Sequence, residues 1–93
     1  MKMTPARYSQ FFGLLDEYAR KKHKCFVSEL FLKSSGAHYA ACFRSTSSDR
    51  NSADRFACQY VEIEWSNIEA ALELEKLPDL VKRVVDERLR LIR

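Results

Sequence analysis

The sequence predicts an α+β domain in which a three-stranded antiparallel sheet, a meander, packs against an N-terminal helix and one or two C-terminal helices. The predicted element order is α-β-β-β-α-α. The middle third of the chain, Cys25 to Trp65, contains three runs rich in aromatic and β-branched residues, each bounded by turn residues. On both sides of it, apolar residues recur at three- and four-residue spacing, which is typical of amphipathic helices.

Length and composition indicate one small globular domain, residues 1–93. A chain of 93 residues buries roughly two-thirds of its unfolded surface, enough for one modest core. Hydrophobic residues make up 46% and charged residues 31%, proportions that argue against overall disorder. The net charge of +3 is weakly basic. It permits contact with nucleic acid or an acidic protein and requires neither.

Neither a membrane span nor a secretory signal is expected. The longest apolar runs have about five or six residues, against the roughly 20 that cross a bilayer, and the N-terminal segment is polar. Cys25, Cys42 and Cys58 fall one in each predicted strand without a CxxC pattern, which predicts reduced core thiols in a cytoplasmic protein. His23 and His38 are the only histidines, so we expect no metal and no cofactor.

The first helix is expected from about Pro5 to Lys22. Thr4 is its predicted N-cap, and Pro5 suits the first helical position, where a backbone N–H is not needed. Gly13 weakens the helix locally and indicates a close approach to the sheet. The apolar face of this helix comprises Tyr8, Phe11, Phe12, Leu15, Tyr18 and Ala19.

The first two apolar runs, Phe26 to Leu32 and Tyr39 to Phe43, are predicted to form an antiparallel hairpin around the turn Ser34-Ser35-Gly36. The third run, Phe56 to Trp65, alternates most clearly. Near its end Glu62 and Glu64 point to one face, and Val61, Ile63 and Trp65 to the other, as in a sheet with one buried and one solvated face. The polar connection from Ser45 to Arg55 is expected to be the most mobile segment.

Two helices are expected after the sheet. The segment Ser66-Asn67-Ile68-Glu69 matches a capping box and predicts a short helix to about Lys76. Leu77-Pro78 interrupts it, and a final helix follows from Pro78 to about Arg93. That helix has more apolar width than a small sheet covers, so either it is an ordinary core helix or it contacts a second copy or a partner protein. The predicted interface residues are Leu80, Val84, Leu91 and Trp65.

The basic run from Arg20 to Lys24 has two interpretations. Cations at the end of a helix are favoured by the backbone dipole, by ~0.3–1 kcal/mol each when exposed. Alternatively, the run binds phosphates together with arginines of the long polar connection. The predicted nucleic-acid contacts are Arg20, Lys21, Lys22, Lys24, Arg50 and Arg55.

Part of the chain resembles double-stranded-RNA-binding domains in layout, through Leu14-Leu15-Asp16-Glu17-Tyr18 in the first helix and Gly36-Ala37-His38 at the hairpin turn. The resemblance implies a helix, three strands and a closing helix, with a minor-groove contact by His38. In that family a lysine cluster at the start of the closing helix binds phosphates. Here the corresponding segment begins at Ser66 and carries no lysine before Lys76.

Motifs of the common enzyme classes are absent from the sequence. Two glycines cannot form a Gly-rich phosphate loop, and neither HExxH nor GxSxG occurs. Glu62 and Glu64 share a strand face and could act together, although such pairs usually solubilise an exposed face. We therefore expect a non-catalytic interaction protein that forms a homodimer or binds a protein partner. The alternatives are nucleic-acid binding and an enzyme subunit whose site is completed by another chain.

Overall fold

A computed structural model describes residues 3–45 and 59–91, with side chains to Leu89. It confirms the α+β class, the element order and the meander. The elements are α1 (Pro5–His23), β1 (Cys25–Leu32), β2 (His38–Ser45), β3 (Gln59–Glu64), α2 (Trp65–Glu73) and α3 (Leu77–Leu91). The predicted connection with Arg50 and Arg55, and the third run before Gln59, lie outside the described residues.

The sheet is antiparallel throughout, in the order β1-β2-β3. Its pairing shifts by one residue between Val27 and Glu29, a β-bulge at Ser28. Because of this extra residue, Val27 and Leu30 can both point into the core although they are three positions apart. The bulge explains why the first apolar run does not alternate in sequence.

All three helices pack on one face of the sheet. Helix α1 contacts β1, α3 contacts both α1 and β3, and α2 contacts α3 and β3. The core between the layers is built largely from Phe11, Leu15, Phe43, Val61, Ile68 and Val85, all almost fully buried. Burial on this side and exposure of Glu62 and Glu64 confirm the predicted alternation of the third strand.

Helix α1 begins and ends as its sequence predicts. The Thr4 hydroxyl accepts a hydrogen bond from the Arg7 backbone N–H at 3.2 Å, and Pro5 is the first helical residue. The helix ends at His23, and Lys24 adopts a left-handed conformation with φ of 53°. The predicted close approach of Gly13 is wrong: Gly13 is exposed, and a Cβ at this position would have no atom within 4 Å.

The start of α2 differs from the predicted capping box. The helix begins at Trp65, two residues earlier than a Ser66 cap requires, and Glu64 at the N-cap makes no side-chain capping bond. The reason lies in the sheet. The Trp65 N–H donates to the Ala37 carbonyl at 2.8 Å, which continues the β2–β3 pairing, so the chain passes directly from strand to helix.

Candidate partner-binding groove

Helices α1 and α3 run in the same direction along one seam. Near the start of both helices, Arg7 and Gln10 of α1 line a depression together with Leu77 and Pro78 of α3. Near their ends, residues Tyr18 and His23 of α1 reach Asp86 of α3. Between these points, one part of the seam is closed by the contacts of Asp86, and the part beside it is open.

The half near the end of α1 is closed by a polar network. The Tyr18 hydroxyl donates to the Asp86 carboxylate, with O···O distances of 2.9 and 2.8 Å. The His23 Nε2 lies 2.8 Å from Asp86 Oδ1. Because a carboxylate only accepts, this contact is a hydrogen bond in the His23 tautomer that has its N–H at Nε2. The His23 side chain is 11% exposed, so this network ties the helices together and leaves the imidazole little access to a ligand.

Beside this network, and sharing Tyr18 with it, lies an open groove of about 360 Å³, called here the α1–α3 groove. Its lining comprises Leu14, Glu17, Tyr18, Lys21, Lys22, Pro78, Val81 and Lys82. Val81 is buried and Leu14 and Tyr18 are half-buried, so they form the floor. The charged members are all exposed and form the rim. The residues of α1 in this lining recur at three- and four-residue spacing, which places them on one side of the helix.

The rim of the groove is predominantly basic. Lys21 and Lys22 come from α1 and Lys82 from α3, against a single acidic residue, Glu17. Three ammonium groups around an apolar floor attract an anionic group and also allow apolar surface to be buried. The groove therefore suits a ligand that is both acidic and apolar.

The structure divides the residues predicted to contact nucleic acid. Among those that the structure describes, only Lys21 and Lys22 line the groove, and Arg50 and Arg55 lie outside the described residues. Arg20 lies beside β1: its Nε is 2.8 Å from Asp16 Oδ2, and its guanidinium lies 5.5 Å from the centre of the Phe26 ring. Lys24 forms the turn after α1. Thus the basic run of the sequence does not form one surface.

The residues predicted as a protein interface do not form an exposed surface in the described part of the chain. Leu80 is only 6% exposed and belongs to the core. Val84 and Trp65 are half-buried against the same core, and the Trp65 and Tyr39 ring centres are 6.1 Å apart. The Leu91 side chain lies outside the description. Leu80 thus serves the monomer's own packing, which favours the ordinary core-helix interpretation of α3 for this residue.

The two carboxylates of β3 lie beside basic side chains on the outer face of the sheet. Glu62 accepts a hydrogen bond from Lys33, and Glu64 Oε1 lies 3.9 Å from His38 Nε2. The hydrogen bond and the charge of Lys33 lower the pKa of Glu62 below its usual value. A general acid needs a raised carboxyl pKa, so this environment acts in the opposite direction.

Of the three predicted core thiols, Cys25 is a free thiol, Cys42 is buried in β2, and Cys58 lies outside the described residues. The Cys25 thiol donates to the His23 carbonyl at 3.3 Å. Within residues 3–45 and 59–91, no group of three or more His, Cys, Asp or Glu side chains could hold a metal ion. The same residues include no helix long and apolar enough to cross a membrane.

The sequence alone did not indicate that residues of α3 contribute to this site. Asp86 and Lys82 are separated by one helical turn and looked like ordinary solvated residues of an amphipathic helix. The available signal was the stripe Leu14, Glu17, Tyr18, Lys21 and Lys22 on α1, which mixes apolar and charged residues on one face. The sequence of either helix does not indicate which other helix lies beside it and completes the groove.

No protein-family model, no curated protein and no solved structure matches the chain. Fold and site define a small α+β domain with a basic-rimmed helical groove.

Proposed function

We propose that this chain is a small non-catalytic interaction module and that the α1–α3 groove binds its protein partner. The observation that carries the proposal is the combination of a half-buried apolar floor with three lysines from two helices. Apolar surface at the centre of a contact supplies most of its binding free energy, whereas charged groups at the rim accelerate association and select the partner. A second copy of the chain is one such partner.

The absence of a catalytic role is part of this proposal. His23 and Asp86 are residue types that often form an acid–base pair. Here, however, the Tyr18 hydroxyl donates a hydrogen bond to the carboxylate, and the imidazole is nearly buried. This arrangement supports a structural role for the network. A cytoplasmic location remains a prediction of the sequence.

Nucleic-acid binding is the second candidate, and one observation favours it. Lys21, Lys22 and Lys82 lie around the same groove, so phosphate contacts from two helices are geometrically available. Glu17 in the same lining opposes a polyanion. Phosphate-dominated binding also weakens steeply with salt and tolerates many sequences, which makes it distinguishable from binding by a partner with an apolar anchor.

Titration monitored by the backbone amide resonances tests the proposal. One probe is an amphipathic helical peptide of leucine and glutamate, and the other is a short RNA duplex. We expect the peptide to shift amides of the groove, and the Lys82→Glu variant to bind it at least about tenfold more weakly, since about 1.4 kcal/mol of lost charge attraction corresponds to that factor.

The matched control is Lys24→Glu, which changes the net charge equally but does not line the groove. An equal loss of peptide binding in both variants would show that net charge, rather than the groove, governs binding. Groove shifts caused by RNA alone, abolished at high salt, would establish the nucleic-acid alternative.

A further inference from the structure

The corner between α2 and α3 presents an exposed leucine between two acidic residues. Leu74 is 66% exposed, more than any other large hydrophobic residue in the described part of the chain. Glu73 and Glu75 flank it and are exposed as well. We call Glu73, Leu74 and Glu75 the Leu74 corner. A single exposed leucine is ordinary. Because this one stands between two carboxylates, the surface around it is both apolar and acidic.

The backbone fixes this corner in one conformation. The Leu74 N–H donates to the Ala70 carbonyl at 3.1 Å, and the Lys76 N–H donates to the Ala71 carbonyl at 2.8 Å. Glu75 adopts a positive φ of 54°, which turns the chain away from α2. The leucine therefore extends from an ordered turn. A preordered side chain loses less conformational entropy on binding than one on a flexible segment.

The Leu74 corner and the α1–α3 groove have complementary chemistry. The corner offers one apolar side chain and two carboxylates, and the groove offers an apolar floor and three ammonium groups. Lys76 and Arg83 beside the corner, partly offset by Asp79, and Glu17 in the groove reduce the charge difference without reversing it. Contact between the two surfaces would bury Leu74 and bring opposite charges together at the rim.

The two surfaces lie on opposite sides of the beginning of α3. Leu74 shares a depression with Asp79, Leu80 and Arg83. The groove instead includes Pro78, Val81 and Lys82. The groove that receives a Leu74 corner must consequently belong to another molecule, and two copies can exchange these contacts reciprocally.

We infer that the α1–α3 groove binds the Leu74 corner of a second copy, giving a reciprocal homodimer. This inference rests on the proposed function of the groove and names one occupant for it. Each contact is small, and interfaces well below about 1,200 Å² are typically weak and transient. We therefore expect a concentration-dependent dimer whose charged rim makes it weaker at high salt.

The test is the concentration dependence of mass, measured by sedimentation velocity with light scattering at low and high salt. The wild type should approach twice the monomer mass of 10.9 kDa as concentration rises. Leu74→Asp, Lys82→Glu and Glu73→Lys should each weaken dimerisation at least about tenfold. The matched control is Leu32→Asp, since Leu32 is a second exposed leucine, 50% exposed, on β1 and away from both surfaces.

The decisive variant combines Lys82→Glu with Glu73→Lys. It restores opposite charges across the proposed contact, so it should dimerise more tightly than either single variant. A wild type that stays monomeric at every concentration would overturn the inference, as would an equal loss in the Leu32→Asp control. If the wild type is monomeric while the acidic peptide still shifts the groove amides, the inference fails and the proposed function stands.

Discussion

The two halves of the α1–α3 seam use the same pair of parallel helices for opposite purposes. In the half near the end of α1, Asp86 accepts hydrogen bonds from Tyr18 and His23, and the helices are tied together. In the part beside it, lysines extend from both helices, and a groove of about 360 Å³ remains open. Complementary polar groups join two helices, whereas like charges leave a surface available to another molecule.

The largest expected effect comes from a substitution that disrupts the packing of α3, which forms one side of the whole seam. Leu80→Glu places a carboxylate in the core position that Leu80 fills at 6% exposure. Burial of an unpaired charge, together with the lost apolar contacts, should cost several kcal/mol, comparable to the ~5–15 kcal/mol that holds a small domain together. Loss of the cooperative unfolding transition in circular dichroism would show this.

The control for that experiment is Leu74→Glu, which changes a leucine only six residues earlier in the chain. Because Leu74 is exposed, we expect the free energy of unfolding to change by at most about 0.5 kcal/mol. If Leu80→Glu instead left the fold intact and only lowered the molecular mass, Leu80 would lie at an interface, as the sequence alone suggested.

The next effect is confined to the closed half of the seam. Asp86→Ala removes the acceptor of the Tyr18 hydroxyl and of His23, which leaves partly buried donors without that partner. We expect the free energy of unfolding to fall by ~1–3 kcal/mol, measured by urea titration. Asp86→Asn keeps one acceptor oxygen and should lose less. Losses near zero in both variants would show that these hydrogen bonds contribute little.

A smaller effect of opposite sign is expected on α1 itself. Gly13 lies in the helix interior and is exposed, and a methyl group added there would have no atom within 4 Å. Gly13→Ala should therefore raise the free energy of unfolding by about 0.5–1 kcal/mol. The groove should bind its partner unchanged, because Gly13 does not line it. A lower free energy of unfolding in this variant would mean that this turn of α1 contacts a group outside the described structure.

The smallest effect concerns a polar contact on the sheet rather than between helices. Lys33 lowers the pKa of Glu62 in the folded protein. The stabilisation is therefore complete above the usual carboxyl pKa and is lost as the pH falls through the lowered value. Glu62→Gln should destabilise slightly at about pH 7 and not at about pH 2, as measured by urea unfolding. Both side chains are exposed, so an undetectable difference at high salt is expected.

Much of the fold could be predicted because its local patterns agree with its packing. Thr4 and Pro5 begin α1, Gly36 lies in the hairpin turn, and Leu77-Pro78 separates the last two helices, each for local reasons. The predicted capping box at Ser66 is wrong because the β2–β3 pairing extends to Trp65. That extension depends on a long-range hydrogen bond, which no local sequence pattern predicts.

The candidate site was less predictable because it depends on which helix lies beside α1. The basic run Arg20 to Lys24 is continuous in sequence, but a helix turns each successive residue by about 100°, so Arg20 and Lys22 face different neighbours. From the sequence, Leu80 was predicted to be apolar surface beyond what the sheet covers, but in the structure it is buried in the core. Lys82 could be assigned to the groove only once the direction of α3 was known.

The single residue between α1 and β1 has a consequence for the order in which the chain folds. Lys24 reverses the chain in its left-handed conformation, and the Asp16 carboxylate then accepts from the Val27 N–H, only 11 residues away. The Tyr8 hydroxyl donates to the Leu30 carbonyl across 22 residues. Closing such short loops has a low entropic cost, so α1 and β1 should form an early nucleus, and β3 should join it last.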